Sequence, residues 1–325
     1  MKLIIPDKFR GTLSAAEAAS AISEGLGGKC LCLPMADGGE GTAAALPGLN
    51  VIESASVIGH GSPTHARHIL HRSSYDLGSA IKKALETQTS DIYIAVGGTV
   101  TADGGTGMLQ ALGARFLDKH CHVIENPLCP QNINHIAYAD FSSLESISAR
   151  LYLLADVEAS LTGPGLSALD FLRQKGAESS DIIIIRKALA HLQKICGGQS
   201  PYDGCGGGIG YALASLIGCR ASLGAEFVLR HMPVDWSEIN LVATGEGCID
   251  HQSIGGKTVG CIIRECEKRK KTVVAFGGRV DSEITDSRCI EVSPKSPTLP
   301  NPEEAYAALR EAAENWIKKQ PFSFS

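Results

Sequence analysis

The chain opens on a strand–helix–strand pattern in residues 2–34, KLIIPDKFRGTLSAAEAASAISEGLGGKCLCLP. Residues 2–6 form a short apolar strand, and Ser14 and Glu17 have the spacing at which two side chains cap the first turn of a helix reciprocally. Glycines after that helix can adopt positive φ and end it, and residues 30–34 give a second apolar strand. The pattern therefore predicts a β-α-β unit.

The same order of elements returns near the other end of the chain. Apolar runs predict strands at residues 240–243, 272–276 and 289–292, with a helix at residues 257–270 between the first two. A last helix begins at Asn301, with a proline at its first position and a glutamate suited to a capping box. Five short apolar strands separated by helices are typical of a parallel, doubly wound α/β sheet, which the two chain ends would build together.

The middle of the chain has a different pattern, and we interpret it as an inserted α/β domain. At 325 residues the chain exceeds the ~250 to 300 residues at which one hydrophobic core usually stops growing. We therefore predict a discontinuous domain of residues 1–50 and 236–325, and an inserted domain of residues 51–235.

Three local predictions concern this middle part. Residues 50–59 and 64–72 are predicted to pair as a β-hairpin across a Gly-Ser-Pro turn. Residues 115–125 are another extended stretch, interrupted at its centre by an Asp-Lys pair. The longest helical candidate is residues 180–196, which a pair of glycines at 197 and 198 should end.

The composition excludes several classes of protein. A net charge of -5 argues against nucleic-acid binding, because such surfaces depend on clustered Lys and Arg. No apolar run approaches the ~18 residues that a membrane helix needs, so we expect a cytoplasmic protein with no membrane partner. The eleven cysteines include no pair with Cys-x-x-Cys spacing, which favours free thiols over zinc or disulfides. The sequence leaves open whether the chain forms a homo-oligomer.

Glycine-rich loops before helices are the first sign of a ligand. Such loops bind anions, because unpaired backbone N–H groups and the helix dipole face a ligand that no Cβ obstructs. Any single loop is more often a turn, but a set that also carries Asp, Thr and Lys favours a phosphorylated ligand. The loops are Asp37-Gly38-Gly39, Gly97-Gly98-Thr99, Asp103-Gly104-Gly105, Gly204-Cys205-Gly206-Gly207-Gly208 and Gly255-Gly256-Lys257.

Two common nucleotide-binding motifs are absent. A Walker A loop ending at Lys257 would need glycine at position 251, where the chain has His251. A dinucleotide fingerprint beginning at Gly245 would need a third glycine at position 250, where the chain has Asp250. The sequence therefore disfavours both a P-loop and a nicotinamide cofactor.

Carboxylates and cations near strand ends are the candidate groups for phosphoryl transfer. Phosphoryl transfer needs oxygen ligands for magnesium and a group that accepts the proton of the attacking hydroxyl. Open α/β sheets bind ligands at the carboxyl ends of their strands. Candidate carboxylates at such positions are Asp7, Asp37, Glu40, Asp103, Asp156, Glu246 and Asp250, and the candidate cations are Lys8, Arg10 and Lys257.

Four segments together resemble the glycerate kinase family. They are residues 5–15 (IPDKFRGTLSA), 34–42 (PMADGGEGT), 97–105 (GGTVTADGG) and 244–253 (TGEGCIDHQS). The resemblance runs from end to end of the chain. It implies a flavodoxin-like, parallel doubly wound sheet built from both chain ends, with an inserted second α/β domain. It also implies an enzyme that uses ATP and Mg²⁺ to make phosphoglycerate from D-glycerate, with the 2-hydroxyl favoured as acceptor.

The chain departs from the family pattern at Ala102 and Ala159, where the family usually has Asn, and at Cys248, where it usually has Arg. Lost amide and guanidinium donors would bear on how a carboxylate or phosphate is oriented. Two alternatives to an active glycerate kinase therefore stay open. One is a kinase for another small hydroxy acid, and the other is a catalytically weakened relative that binds ligand.

The predicted site combines these patterns with the resemblance. We predict catalytic roles for Asp37, Asp103 and Lys257. Magnesium is predicted to bind at Asp156 and Asp250. The residues predicted to contact the substrate or its phosphate are Asp7, Lys8, Arg10, Gly38, Gly39, Glu40, Thr42, Gly97, Gly98, Thr99, Gly104, Gly206, Gly207, Gly245, Glu246 and Gln252.

Overall fold

The computed structural model describes residues 1–87, 90–148, 150–255, 257–292 and 300–320. Its strands are β1 (Lys2–Ile4), β2 (Cys30–Cys32), β3 (Asn50–Glu53), β4 (Ile92–Ala95), β5 (Arg115–Leu117), β6 (Tyr138–Asp140), β7 (Leu151–Ala155), β8 (Arg220–Leu223), β9 (Leu241–Ile249), β10 (Thr272–Val280) and β11 (Cys289–Glu291). Its α-helices are α1 (Ala15–Leu26), α2 (Thr42–Ala45), α3 (Ser54–Ile58), α4 (Tyr75–Thr87), α5 (Thr106–Leu112), α6 (Glu145–Ser148), α7 (Ser179–Cys196), α8 (Gly224–His231), α9 (His251–Gly255), α10 (Thr258–Arg269) and α11 (Pro302–Lys318). None of these helices combines the length and the apolar composition that crossing a bilayer requires.

The two chain ends form one compact unit, Met1–Asp37 with Ala225–Ser325. Its five strands are all parallel and lie in the order β11-β10-β9-β1-β2. Counted within this unit alone, the order is 2-1-3-4-5, which defines the flavodoxin-like sheet. The prediction that five strands from both chain ends share one parallel sheet is confirmed.

Helix α1 shows why the local sequence signals were reliable in this unit. The side chains of Ser14 and Glu17 form the predicted capping box, with Ser14 N donating to Glu17 Oε2 at 2.8 Å. At the other end of the helix, Lys2 Nζ donates to the carbonyls of Leu26 and Gly27, each at 2.8 Å. These contacts bind α1 to the strand that precedes it.

The second compact unit is Gly38–Gly224 and contains two sheets. One is parallel, in the order β3-β4-β7-β8, and the other is the antiparallel pair β5-β6. Ile92 and Ile94 of β4 and Leu151 and Leu153 of β7 are completely buried on one face of the parallel sheet. Helix α7 spans Ser179–Cys196 and ends at Gly197, as predicted. The domain limits predicted at residues 50 and 235 stay a prediction.

The predicted hairpin of residues 50–59 and 64–72 is wrong. Strand β3 pairs in parallel with β4, and the chain then turns directly into α3. Downstream, the Arg72 guanidinium donates hydrogen bonds to the carbonyls of His65 and Arg67 at 3.1 and 2.8 Å. Because those carbonyls are bound by a side chain, they do not pair with a neighbouring strand. The competing interaction is not visible in the hydropathy pattern.

Candidate active site

The flavodoxin-like sheet has a topological switch point between β1 and β9, where the direction of strand progression reverses. Ligands of such sheets bind outside the carboxyl ends of the strands at this point. Asp7 follows β1 there, and its N–H donates to the carbonyl of Gly245 in β9 at 2.9 Å. Glu246 is the next residue of β9. The topology thus brings two of the predicted carboxylates to the expected ligand position.

Asp7 is held between the end of β1 and the start of α10. Its Oδ1 accepts a hydrogen bond from Lys8 N at 2.7 Å, and its Oδ2 accepts one from Thr258 Oγ1 at 2.9 Å. Burial raises the pKa of Asp7 to about 6, and the nearby charge of Asp37 acts in the same direction. Thr258 lies 251 positions after Asp7 in the sequence and was not among the predicted site residues, yet its hydroxyl orients this carboxylate.

The surroundings of Glu246 strongly disfavour its ionised form. Burial raises its pKa to about 8, and the charges of Asp7 and Asp37 add to the effect. A hydrogen bond from Ser253 and the charge of Lys257 offset only part of it. Its Oε1 atom is buried and has no hydrogen-bond partner among the described residues. These surroundings favour the neutral form of the carboxyl group.

The remaining predicted residues of this unit differ in exposure and in local role. Asp37 follows β2, and Lys257 is the residue immediately before α10. Arg10 is exposed, and Lys8 is partly buried next to Asp7. Gly245 has a packing role, because a Cβ there would overlap the Phe276 carbonyl oxygen. The side chain of Gln252 lies outside the described part of the structure.

Asp103 belongs to the second unit and is completely buried. Its Oδ2 accepts hydrogen bonds from Ser74 N and Oγ, both at 2.7 Å, and from Gly107 N at 3.2 Å. Its Oδ1 accepts one from Gly105 N at 3.2 Å. Asp103 therefore joins the start of α4 to the start of α5. Because both oxygens are occupied by protein donors, the contacts favour a structural role, and its catalytic role stays a prediction.

Lys175 is a buried cation that sequence reasoning missed. Its Nζ donates to the Thr101 carbonyl at 2.9 Å and lies 3.4 Å from Thr99 Oγ1. Burial lowers its pKa to about 8, against the opposing charges of Asp156 and Asp103. A lysine just before a glycine is typical of an ordinary turn, so no local sequence pattern could have predicted that this lysine is buried.

The glycine loops of the second unit pack against one another at the carboxyl ends of β4 and β7. Gly97 N donates to the Gly38 carbonyl at 3.0 Å, and a Cβ on Gly97 would lie 2.9 Å from Gly39 Cα. A Cβ on Gly207 would overlap the Thr101 carbonyl oxygen. Close backbone approach therefore accounts for these glycines, and their binding of phosphate stays a prediction.

Other predicted residues of this unit have local roles. Thr42 Oγ1 donates to the Gly39 carbonyl at 2.6 Å, inside the turn that begins α2. Glu40 and Gly98 are exposed, and Thr99 is buried beside Lys175. Two further glycines are packed against apolar side chains, since a Cβ on Gly104 would lie 2.6 Å from Leu192 and one on Gly206 would lie 3.0 Å from Val96.

The two predicted magnesium ligands lie one in each unit and have different local surroundings, and their binding of magnesium stays a prediction. Asp250 Oδ1 accepts hydrogen bonds from Ser253 N at 2.9 Å and Ser253 Oγ at 3.2 Å, which makes it a cap of α9. Asp156 faces the Lys175 ammonium. In the part of the chain that the structure describes, no group of three or more His, Cys, Asp or Glu side chains could hold a metal ion. Magnesium bound mainly by nucleotide phosphates and water would not need such a group.

Comparison with known proteins identifies the family. The model of the glycerate kinase family matches residues 2–50 and 47–320. A glycerate kinase of Bacillus subtilis is 30% identical, with 87% of this chain and 86% of the relative covered. A glycerate 2-kinase of Escherichia coli is 29% identical, with 87% of each chain covered. A crystal structure of a candidate glycerate kinase 2 from Salmonella typhimurium LT2 superposes with a TM-score of 0.71 at 27% identity, covering 98% of this chain and 97% of the other. This chain therefore belongs to the glycerate kinase family.

Proposed function

We propose that this enzyme transfers the γ-phosphoryl group of ATP to the 2-hydroxyl of D-glycerate. Family membership supports the reaction class, and the E. coli relative is named for the 2-position. The observation that carries the proposal is the group of carboxylates at the switch point of the flavodoxin-like sheet, next to the start of α10. Magnesium would enter with ATP, as the partner of its phosphates.

Two side chains near the switch point have distinct proposed tasks. Kinases gain their rate from positioning and from charge stabilisation rather than from covalent chemistry. Asp37 would accept the proton of the attacking hydroxyl. Lys257 would stabilise the charge of the transferred phosphoryl group, because its ammonium and the amino-terminal dipole of the 12-residue α10 both favour an anion.

The chemistry also defines the partners. ATP and glycerate are small anions, and the net charge of -5 does not suit nucleic acid. We propose that the protein works in the cytoplasm, where ATP is available, and needs neither nucleic acid nor a membrane.

A coupled assay of ADP release tests the proposal directly. The enzyme is incubated with Mg-ATP and, separately, with D-glycerate, L-glycerate, tartronate and lactate. We expect the highest kcat/KM with D-glycerate, and phosphorus NMR should identify the product as 2-phosphoglycerate. Preferred turnover of another acid would reassign the substrate. Binding of glycerate without any turnover would instead indicate a catalytically weakened relative.

A further inference from the structure

Two carboxylates and one ammonium group lie close to Glu246 at the switch point. The groups that face Glu246 are Asp7 after β1, Asp37 after β2, Lys257 before α10 and the Cys289 thiol on β11. With Lys257 as the cation among them, an ionised Glu246 would be a third carboxylate beside two others. Like charges at short range disfavour ionisation, and burial disfavours it further.

One oxygen of Glu246 has no hydrogen-bond partner within the described part of the chain. Oε1 is buried and accepts no hydrogen bond from the described residues. A buried polar atom without a partner destabilises a fold unless something else satisfies it. The Ser253 hydroxyl near this carboxyl group is itself buried, and its single hydrogen is also within reach of the Cys248 carbonyl oxygen at 3.1 Å and of Asp250 Oδ1 at 3.2 Å. The unsatisfied oxygen lies where the sheet topology places the ligand.

We propose that Glu246 is a neutral carboxylic acid whose O–H donates a hydrogen bond to an anionic oxygen of the bound ligand. That oxygen belongs either to the carboxylate of the acceptor acid or to a phosphate of the nucleotide. The inference rests on the proposed function for its ligand, but the protonation of Glu246 in the free protein does not. No bond to phosphorus forms or breaks at this residue, since its role is to hold an anion beside two carboxylates that would otherwise repel it.

This role makes a specific prediction for the pH dependence of the enzyme. The pKa of Glu246 is raised to about 8, so the donor is present below that pH and is lost above it. The pH profile of kcat/KM reports the ionisation of the free enzyme. We therefore expect wild-type kcat/KM to fall about tenfold per pH unit above roughly pH 8.

Two substitutions of Glu246 test whether its side chain acts as a hydrogen-bond donor or instead as a base or a metal ligand. Glu246→Gln keeps a hydrogen-bond donor but cannot ionise, whereas Glu246→Ala removes the group. At pH 7 we expect kcat/KM to fall about tenfold in E246Q and roughly two to three orders of magnitude in E246A, with no alkaline loss near pH 8 in E246Q. Equal losses in both variants would show that the carboxylate form is required and would overturn the proposal. The substrate whose KM rises in E246Q, acid or ATP, identifies the anion.

A second readout needs no turnover and so stands apart from the proposed function. An acid with a raised pKa in the folded state lowers stability as pH rises toward that pKa. The melting temperature of E246Q relative to wild type should therefore increase from pH 5 to pH 9, whereas exposed Glu86→Gln should show no such trend. A flat difference for E246Q would overturn the proposal. If no acid is phosphorylated but the trend is present, the proposed function fails and the neutral Glu246 stands.

Discussion

Replacing Gly207 by alanine should be far more damaging than the size of a methyl group suggests. Gly207 has φ of 71°, and an added Cβ would overlap the Thr101 carbonyl oxygen and lie 2.9 Å from Lys175 Nζ. The left-handed conformation costs a residue with a Cβ about 1 to 2 kcal/mol. Overpacking adds roughly 1 to 3 kcal/mol. Displacing the Thr101 carbonyl also breaks its bond to the Lys175 ammonium, worth about 1.5 to 3 kcal/mol.

The sum is about 4 kcal/mol or more, and Gly218 provides the matched control. Its φ of 68° is nearly the same, but nothing lies within 4 Å of an added Cβ. Gly218→Ala should therefore lose only the conformational part, about 1 to 2 kcal/mol. The assay is urea denaturation followed by far-UV circular dichroism, with ATP affinity measured on the folded fraction. If the two variants lose stability within about 1 kcal/mol of each other, and Gly207→Ala mainly loses ATP affinity, the packing argument fails and Gly207 binds phosphate.

Three further predictions concern charged side chains. Asp37→Asn and Lys257→Met should each lower kcat by roughly two to three orders of magnitude with little change in melting temperature, and retention of more than about a tenth of kcat would refute their roles. Asp103→Asn should unfold at lower urea concentration, because the amide NH₂ group would face hydrogen-bond donors where the carboxylate now accepts four hydrogen bonds. Unchanged stability together with lost turnover would instead support its catalytic assignment. The pKa of Lys175 is lowered to about 8 in the folded protein, so between pH 8 and 10.5 the unfolded chain binds more protons than the folded one. The free energy of unfolding should therefore rise with pH over this range. Calorimetry should find no such rise in Lys175→Met.

The sequence by itself determined the elements that depend on neighbouring residues. The capping boxes at Ser14 and Asn301 involve side chains three positions apart, so they can be read directly from the chain. Short apolar runs that alternate with helices predicted a parallel sheet, because parallel strands need a crossover connection between them. The family motifs also led to the carboxylates Asp7, Asp37 and Glu246.

The hairpin prediction failed where a distant partner competed with a local one. Strand β3 pairs with β4, which lies some forty positions further along the chain, rather than with the segment that follows it. The carbonyls of that segment are instead bound by the Arg72 guanidinium, whose bond to the Lys175 carbonyl at 2.7 Å joins residues 103 positions apart. Hydropathy patterns do not reveal contacts between residues that are far apart in the sequence.

Only the tertiary structure decided the chemical state of the candidate site. The same residue type is an exposed surface acid at Glu86 and a partly buried acid with a pKa of about 8 at Glu246. The difference arises from burial and from charges on β1, β2 and α10, which only the folded sheet assembles around β9. Sequence order fixes which groups are present, but the free energy of ionisation depends on their separation in space and on the water removed from around them.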